Sequence, residues 1–318
     1  MGCEMVSSNC ILILGSSGMI GSAVSKKLSL LGHKHLLQPS HSELDVSDLS
    51  ALDNFFQRHK IDIVINCVGK VGGILENRDY PYQFIAENLQ TQLNVCLIAN
   101  KYETNTVVFF GSSCMYPKRT KQPMPVSALL TGSLEPTSLP YAISKLAGLH
   151  LGLAYNQQYK KNRYITVIPN STFGPGDNFD QSSGHVLSVL IDRFHKAKND
   201  EVSTVKLWGS GKPRREFIFS DDVADAIIYL LEHRSKLENE PINIGVNRDY
   251  AIEELANVIC NVVGYKGKIL WDPTKPDGAP QKLLDSSKIR NLGWSPSYGL
   301  SEGIQLTYDW YIRQKAVN

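Results

Sequence analysis

Tyr141 and Lys145 stand four positions apart in a Y-x-x-x-K pattern, within a segment that is predicted to be helical. Residues at this spacing share one helix face. An ammonium beside a phenol favours the phenolate, so the pKa of Tyr141 is expected to fall and the phenol can exchange a proton with a carbonyl oxygen. Ser112 follows a β-branched run and could bind the same oxygen. The three residues predict carbonyl reduction or oxidation; a surface Tyr–Lys pair is the alternative.

A glycine-rich turn follows the first apolar run, in ILILGSSGMIGSAV (residues 11–24). In such a G-x-x-G-x-x-G turn the first glycine permits the bend, the second admits a pyrophosphate and the third allows close helix–strand packing. The phosphates then lie at the positive end of the helix. The predicted cofactor-binding residues here are Gly15, Ser16, Ser17, Gly18, Met19, Ile20 and Gly21.

The residues after the predicted second strand favour NADP(H) over NAD(H). NAD sites usually place a carboxylate there for the ribose hydroxyls, and it would repel a 2′-phosphate. Here no carboxylate occurs before Glu43, whereas Ser40 and His41 could donate hydrogen bonds to the phosphate, as could the serines of the glycine-rich turn. Asp45 could face the adenine or could cap the following helix.

Strand-like and helix-like segments alternate along the first two-thirds of the chain. Strands are predicted at 10–14, 35–38, 61–66, 106–111 and 164–168, and helices at 20–31, 49–59, 80–101 and 140–159. This alternation predicts an α/β fold with a doubly wound parallel sheet, a Rossmann domain.

The pattern of predicted secondary structure changes after Pro169, where loops separate shorter elements. Helices are predicted at 186–198, 221–232, 252–263 and 300–314, and a strand at 241–245 is expected to return to the first sheet. We therefore predict a cofactor domain over residues 1–169 with a returning segment near 217–246. Residues 170–318 should form mainly a smaller α/β substrate lobe.

Composition and charge exclude several kinds of partner. The 318 residues include 33 Lys+Arg and 31 Asp+Glu, a formal net charge of +2, so neither nucleic acid nor an anionic membrane surface is expected as a partner. No apolar run reaches the roughly 18 residues of a membrane span, and the start (MGCEMVSSN) lacks a secretory or myristoylation pattern. Scattered cysteines without a C-x-x-C pattern indicate a reduced, cytoplasmic protein with no metal site; they are Cys3, Cys10, Cys67, Cys96, Cys114 and Cys260.

Several longer motifs carry a resemblance to a known family. They are KVGGI (70–74), GSSCMYPK (111–118), LEPTSLPYAISKLAG (134–148), FGPGDNF (173–179), GHV (184–186), WGSGKPRREF (208–217) and KPDGAPQKLLD (275–285). In these the chain resembles the extended short-chain dehydrogenase/reductase family and, within it, the GDP-L-fucose synthases. The resemblance runs through most of the length.

This resemblance implies NADPH-dependent epimerisation at C3 and C5 of a GDP-linked 4-keto-6-deoxy sugar, followed by reduction at C4. Cys114 and His185 would exchange the C3 and C5 protons, while Ser112, Tyr141 and Lys145 would stabilise the enolate oxygen and protonate the C4 alkoxide. A thiol and an imidazole suit proton exchange near neutral pH. Dehydratases of this fold carry Asp-Glu after the same serine or threonine; here Ser113 and Cys114 stand there.

The resemblance also implies how the nucleotide is held. Arg193 and Arg215 would bind the diphosphate, since a guanidinium can fork onto phosphate oxygens. Trp208 would lie near the guanine, and Lys282 would reach the ribose or a phosphate. Arg214 is the less favoured arginine of the RREF motif. A homodimer is implied, formed through the helices at 80–101 and 140–159.

Three departures from the family pattern keep other functions open. Ser171 replaces an expected asparagine, Gly176 replaces an expected histidine, and Gly15-Ser16-Ser17-Gly18 replaces Gly-His-Arg-Gly. A C4 reductase without epimerase activity, acting on a related GDP-4-keto sugar such as a heptose, is one alternative. An NAD-dependent nucleotide-sugar 4-epimerase is another, and a non-catalytic, cofactor-sensing protein is a third.

Overall fold

The computed structural model describes residues 9–275 and 277–317, so Cys3 lies outside the described residues. In the first half, strands alternate with helices as predicted. The elements are β1 (Ile11–Leu14), α1 (Met19–Leu30), β2 (Leu36–Leu37), α2 (Leu49–Arg58), β3 (Ile63–Asn66), α3 (Ile74–Asp79), α4 (Pro81–Lys101), β4 (Thr106–Phe110), α5 (Leu139–Tyr159) and β5 (Tyr164–Pro169). The second strand is shorter than predicted, and the short helix α3 was not predicted.

The second half contains shorter strands between helices. They are β6 (Ser171–Phe173), α6 (Val186–Asn199), β7 (Thr204–Trp208), β8 (Arg214–Phe219), α7 (Ser220–Glu232), β9 (Ile242–Ile244), β10 (Asp249–Ala251), α8 (Ile252–Val263), β11 (Lys268–Asp272), β12 (Gln281–Lys282), α9 (Ser287–Asn291) and α10 (Leu300–Val317). The four helices that the sequence predicts here begin and end within three residues of the observed bounds.

The main sheet has six strands in the order β2-β1-β3-β4-β5-β9, and every pair in it is parallel. The prediction of a doubly wound parallel sheet is therefore confirmed. The chain winds outward in both directions from β1, so the crevice between the carboxyl ends of β1 and β3 is where a ligand binds in this class of fold.

Both faces of this sheet are buried, which explains why its strands are predominantly apolar. Ile11 and Ile13 pack in a cluster that includes side chains of α1 and α7. Leu12 and Leu14 point to the opposite face, into a cluster with side chains of α2 and α4.

Strand β8 joins the main sheet to a second group of elements. It pairs with β6 and β12 in parallel and with β10 in antiparallel orientation. Ile218 packs in the core under the main sheet, whereas its neighbours Phe217 and Phe219 pack in a separate core built on α6, α8 and α10. Consequently β8 carries residues from one core directly into the other. No helix in the described ranges is long and apolar enough to cross a bilayer.

Candidate active site

The glycine-rich turn lies in the crevice between β1 and β3. Gly15 has φ +74°, and a Cβ on it would stand 3.1 Å from the carbonyl carbon of Cys67, the residue after β3. Gly18 caps the N-terminus of α1 without a side-chain hydrogen bond, which leaves the first N–H groups of that helix available to an anion. A Cβ at position 15 or 21 would crowd the backbone of Cys67 or of the turn itself, so this tight turn requires glycine at both positions. A tight glycine turn before a helix N-terminus fits a dinucleotide pyrophosphate.

Ser40, which is expected to bind a 2′-phosphate, is hydrogen-bonded to a carboxylate in this structure. The N–H and hydroxyl of Ser40 donate to Glu43 Oε2 at 2.7 and 2.8 Å, and His41 is exposed beside them. These hydrogen bonds lower the pKa of Glu43, whose charge faces solvent. Ser40 therefore has to leave Glu43 before it can donate to a phosphate.

Asp45 does not cap the following helix, so that alternative is wrong. Its Oδ1 accepts from the N–H and hydroxyl of Ser47 at 2.9 and 2.7 Å. The cap of α2 is Asp48, whose carboxylate accepts from the N–H groups of Ser50 and Ala51. Asp45 begins a local turn instead, and contact with the adenine stays a prediction.

Tyr141 and Lys145 lie on one face of the first turns of α5. The Nζ atom of Lys145 is 5.7 Å from the centroid of the Tyr141 ring. Gln92 of α4 donates to the carbonyl of Ser144 at 3.1 Å, and Gly148 allows the Gln92 side chain to pack directly against α5. This close packing fixes the helix that carries the pair.

The electrostatics of this pair differ from the sequence expectation. Burial raises the pKa of Tyr141, and the nearby Cys114 raises it further, while a hydrogen bond from Ser112 opposes the change. Lys145 is 6% exposed, and burial lowers its pKa to about 8. The predicted lowering of the Tyr141 pKa by Lys145 is therefore not found: burial has the largest effect on this pKa, and Lys145 is not among the groups that shift it. A protonated phenol is the form that can donate to an alkoxide.

Cys114 lies beside Tyr141, in the turn that follows β4. Its N–H donates to the hydroxyl oxygen of Ser112 at 3.2 Å, and Lys282 Nζ lies 3.7 Å from its sulfur. Burial raises the pKa of Cys114, but Lys282, Ser112 and Ser138 together bring it below its ordinary value. The structure thus brings four predicted site residues together: Ser112, Cys114, Tyr141 and Lys282. It places Lys282 against the thiol, a contact that sequence reasoning missed.

His185 is exposed and stands at the N-terminus of α6. The loop before it is tied to the first domain, since the N–H of Gly73 donates to the carbonyl of Ser183 at 2.8 Å. Asp177, which hydrogen-bonds to Ser188, is half-buried near His185; burial raises the Asp177 pKa, and the charge of His185 opposes the shift. The role of His185 stays a prediction.

Gly176, where the family pattern expects a histidine, has a positive φ of +82°. A Cβ there would stand 3.5 Å from the Cα of Met19, the first residue of α1. The glycine therefore lets the loop of the second lobe rest against the cofactor turn in a backbone conformation that a histidine would adopt only with strain.

The two arginines of β8 have different surroundings. Arg214 pairs with Asp249 at 2.9 Å and with Glu254 at 3.6 Å. Among the described residues Arg215 has no carboxylate within 4.0 Å, and its Nη1 donates to the carbonyl of Arg214. Burial lowers the pKa of the Arg215 guanidinium, and the nearby Cys114 opposes this shift. This difference agrees with the choice of Arg215 as the anion-binding arginine.

The other two predicted nucleotide contacts lie on α6 and β7. Arg193 donates twice to Gln181 Oε1, at 3.0 and 2.9 Å. The amide nitrogen of Gln181 in turn donates to Asp192 at 2.6 Å. Trp208 is 61% exposed, with the Lys275 ammonium 5.7 Å from its ring centroid. Arg193 and Trp208 are thus accessible to a ligand, and their roles stay predictions.

Sequence reasoning missed a buried carboxylate behind the site. Glu216 is fully buried and accepts hydrogen bonds from the side chain of Asn170 and the N–H groups of Asn247 and Leu284 at 2.7, 2.7 and 3.0 Å. It thereby ties together the ends of β5, β9 and β12. A signal was present, since a glutamate within an apolar strand and directly after Arg215 requires buried partners.

Comparison with known proteins identifies the family. Residues 11–245 match the model of the NAD dependent epimerase/dehydratase family. The chain belongs to this family.

Individual proteins of known name resemble the chain over nearly its whole length. It is 45% identical over 302 residues to putative GDP-L-fucose synthase 2 of Arabidopsis thaliana, covering 95% of this chain and 91% of that protein. It is 43% identical to GDP-L-fucose synthase of Escherichia coli, covering 98% of each. A solved structure of a GDP-mannoheptose C4 reductase from Campylobacter jejuni with NADP bound matches at a TM-score of 0.86, with 32% identity, covering 96% of this chain and 99% of the other.

Proposed function

We propose that this enzyme epimerises a GDP-linked 4-keto-6-deoxymannose at C3 and C5 and reduces it at C4 with NADPH, giving GDP-L-fucose. The observation that carries the proposal is the grouping of Ser112, Cys114 and Tyr141 at the carboxyl end of β4, with Lys282 against the thiol. A dehydratase lacks the thiol at this position. A simple 4-epimerase has no need for it.

The glycine turn and the first turn of α1 would hold the NADPH pyrophosphate. When bound there, NADPH would supply the hydride for reduction at C4. Tyr141, held protonated by burial, donates its proton to the C4 oxygen as the carbonyl is reduced, and Ser112 holds the same oxygen. The Lys145 ammonium then stabilises the resulting phenolate across the 5.7 Å to its ring.

Epimerisation uses the acidity of the two carbons that flank the ketone. One of Cys114 and His185 removes the proton from a carbon, and the electron pair of that C–H bond moves to the C4 oxygen. Ser112 and Tyr141 donate hydrogen bonds to the enolate oxygen. The other residue returns a proton to the opposite face of the carbon, which inverts it.

Arg215, without a carboxylate partner among the described residues, would bind the diphosphate together with Arg193. The exposed ring of Trp208 would cover the guanine. Each guanidinium also donates a hydrogen bond within the protein, Arg193 to Gln181 and Arg215 to the carbonyl of Arg214. Such support favours a fixed fork geometry for phosphate oxygens.

The test is an incubation of purified protein with GDP-4-keto-6-deoxymannose and NADPH in deuterium oxide. We expect NADPH consumption and a GDP-6-deoxyhexose product that carries deuterium at C3 and C5, detected by NMR. Absence of both with folded protein would contradict the proposal. Cys114→Ala should remove the deuterium, whereas Cys260→Ala, on the far helix α8, should not.

The second candidate is a C4 reductase without epimerase activity, which the similarity to the Campylobacter jejuni reductase favours. The same incubation separates the two functions. Reduction without deuterium at C3 or C5 selects the reductase. Purified protein that carries tightly bound oxidised NAD and leaves NADPH unconsumed would instead select a nucleotide-sugar 4-epimerase.

We also propose a homodimer formed through α4 and α5. Both helices expose apolar side chains: Leu93 and Leu97 on α4, and Ile143 and Leu151 on α5. Light scattering after gel filtration tests this. We expect Leu97→Glu to give a monomer and Leu30→Glu, at an equally apolar exposed site on α1, to leave a dimer.

The cytoplasm is the compartment that we propose. Cys10, Cys67, Cys96, Cys114 and Cys260 are all free thiols in the described part of the chain, which suits a reducing environment. Fractionation of the host cell with an antibody against the protein tests it, and recovery from a secreted fraction would contradict it.

A further inference from the structure

Lys282 and Cys114 are 168 positions apart in the sequence, and the fold brings their side chains into contact. Strand β12 pairs in parallel with β8, with Lys282 opposite Arg215. This pairing directs the Lys282 ammonium to the turn after β4, where Nζ lies 3.7 Å from Cys114 Sγ.

The backbone that carries Lys282 is fixed on both sides. Its carbonyl accepts from Asn170 at 3.3 Å, and the N–H of Leu283 donates to Gln122 at 2.8 Å. The next N–H, of Leu284, donates to the buried Glu216. The Lys282 ammonium is therefore held near the sulfur by a strand whose backbone is fixed by hydrogen bonds, and not by a mobile loop.

The charges around Cys114 are predominantly positive. Lys282 of β12 and Arg215 of β8 face it, Tyr141 of α5 adds a phenol, and Ser112 and Ser138 add hydroxyl groups. Among the described residues neither cation has a carboxylate within salt-bridge distance, although Arg214 next to them has two. Two half-buried cations without a counter-ion favour an anion between them.

We propose that Lys282 holds Cys114 as a thiolate in the substrate-free enzyme, so that it acts as a positioning residue for the proton exchange and not solely as a contact for the nucleotide. The proposal rests on the proposed function, since the thiolate matters only if Cys114 exchanges sugar protons. The thiolate accepts the proton of a sugar C–H bond and becomes a thiol. The electron pair of that bond moves to the ketone oxygen. The ammonium keeps its own protons throughout.

The test measures the ionisation of Cys114 directly, without sugar nucleotide. Full-length protein is treated with iodoacetamide at pH values from about 5.5 to 9.5, and the modified Cys114 peptide is quantified by mass spectrometry. Alkylation follows the thiolate fraction. We compare wild type with Lys282→Met, which removes the charge, Lys282→Arg, which keeps it, and Lys268→Met, a control on the exposed face of β11.

At pH 7 we expect Lys282→Met to slow the alkylation of Cys114 by about tenfold, the effect of losing one close opposite charge. The ratio of the two rates should fall as the pH rises towards the alkaline end, because the thiol of the variant ionises increasingly there; this separates ionisation from access. Lys282→Arg and Lys268→Met should follow the wild type. Cys260 in the same samples reports any general unfolding.

A Cys114 profile in Lys282→Met that superimposes on the wild-type profile would overturn the proposal. So would a loss that persists unchanged at the alkaline end. Neither result depends on turnover, so they are distinguishable from failure of the proposed function, which is seen as wild-type protein that neither consumes NADPH nor labels the sugar. With both correct, Lys282→Met should recover C3 and C5 deuteration as the pH is raised from 7 to 8.5.

Discussion

Gly21 lies directly against the carbonyl of Gly15: a Cβ on Gly21 would stand 2.1 Å from that oxygen. Both sides of the contact are backbone, so no side chain can move aside. We expect Gly21→Ala to push α1 away from the turn and to weaken NADPH binding about five- to 150-fold, the effect of about 1–3 kcal/mol of overpacking.

Fluorescence titration of NADPH measures this affinity. Gly299→Ala is the matched control, because a Cβ there meets no atom within 4 Å. Equal affinities in the two variants would show that the turn does not hold the pyrophosphate.

The second prediction concerns the buried ammonium of Lys145, whose pKa is lowered from 10.5 to about 8 by burial. Between those values the unfolded chain binds more protons than the folded chain, so the lysine makes stability rise with pH in this window. Below about pH 8 the buried lysine is charged and lowers the free energy of unfolding by its full desolvation cost, on the order of 3 kcal/mol.

Lys145→Met should therefore be more stable than wild type at pH 7, and its advantage should shrink between pH 8 and 10, while reduction at C4 is lost. Urea unfolding at several pH values measures the difference in the free energy of unfolding. A Met variant that is less stable than wild type at pH 7 would contradict the assignment of a desolvated charge.

The third prediction concerns the choice between NADPH and NADH. Glu43 Oε2 accepts from the Ser40 N–H and hydroxyl, and its charge would repel a 2′-phosphate bound at Ser40. Glu43→Gln keeps an acceptor and removes the charge. We expect the ratio of NADH to NADPH dissociation constants to rise about fivefold, the scale of an exposed charge pair. Glu302→Gln, on α10, is the control; an unchanged ratio in Glu43→Gln would place the 2′-phosphate elsewhere.

The fourth prediction concerns the support of Arg193. Gln181 Oε1 accepts two hydrogen bonds from Arg193 while its amide nitrogen donates to Asp192. Gln181→Ala frees the guanidinium without removing it, so we expect KM for the GDP-sugar to rise about tenfold with kcat nearly unchanged. Steady-state kinetics measure both. Gln305→Ala, which removes an exposed glutamine on α10, should change neither, and a change confined to kcat would show that Arg193 does not bind ground-state substrate.

Sequence reasoning succeeded where one local pattern determines one feature. The glycine turn, the shared face of Tyr141 and Lys145, and the alternation of strands with helices all follow from residues within a few turns of each other. The choice of Arg215 over Arg214 as the diphosphate contact rests only on the resemblance to a family and stays a prediction, although Arg214 alone is paired with carboxylates.

Sequence reasoning failed where a residue contacts a partner that is distant in the sequence, or where two nearby residues suit the same role equally well. Strand β12 has two residues and no detectable period, so its pairing with β8, and with it the contact of Lys282 with Cys114, could not be seen. Asp45 and Asp48 are equally good caps by residue type, and the backbone path alone selects Asp48. Burial of Tyr141 depends on packing around the site, which a spacing argument omits.

The edge strand β9 has a consequence for how the protein forms on the ribosome. Val167 of β5 pairs with Ile242, more than seventy residues later. As the chain emerges, the first five strands of the main sheet are complete while β5 still presents an unpaired edge. This edge stays unpaired until the residues between β5 and β9 have been synthesised. A chain cut short before Ile242 keeps this edge open and is prone to add a strand from another molecule.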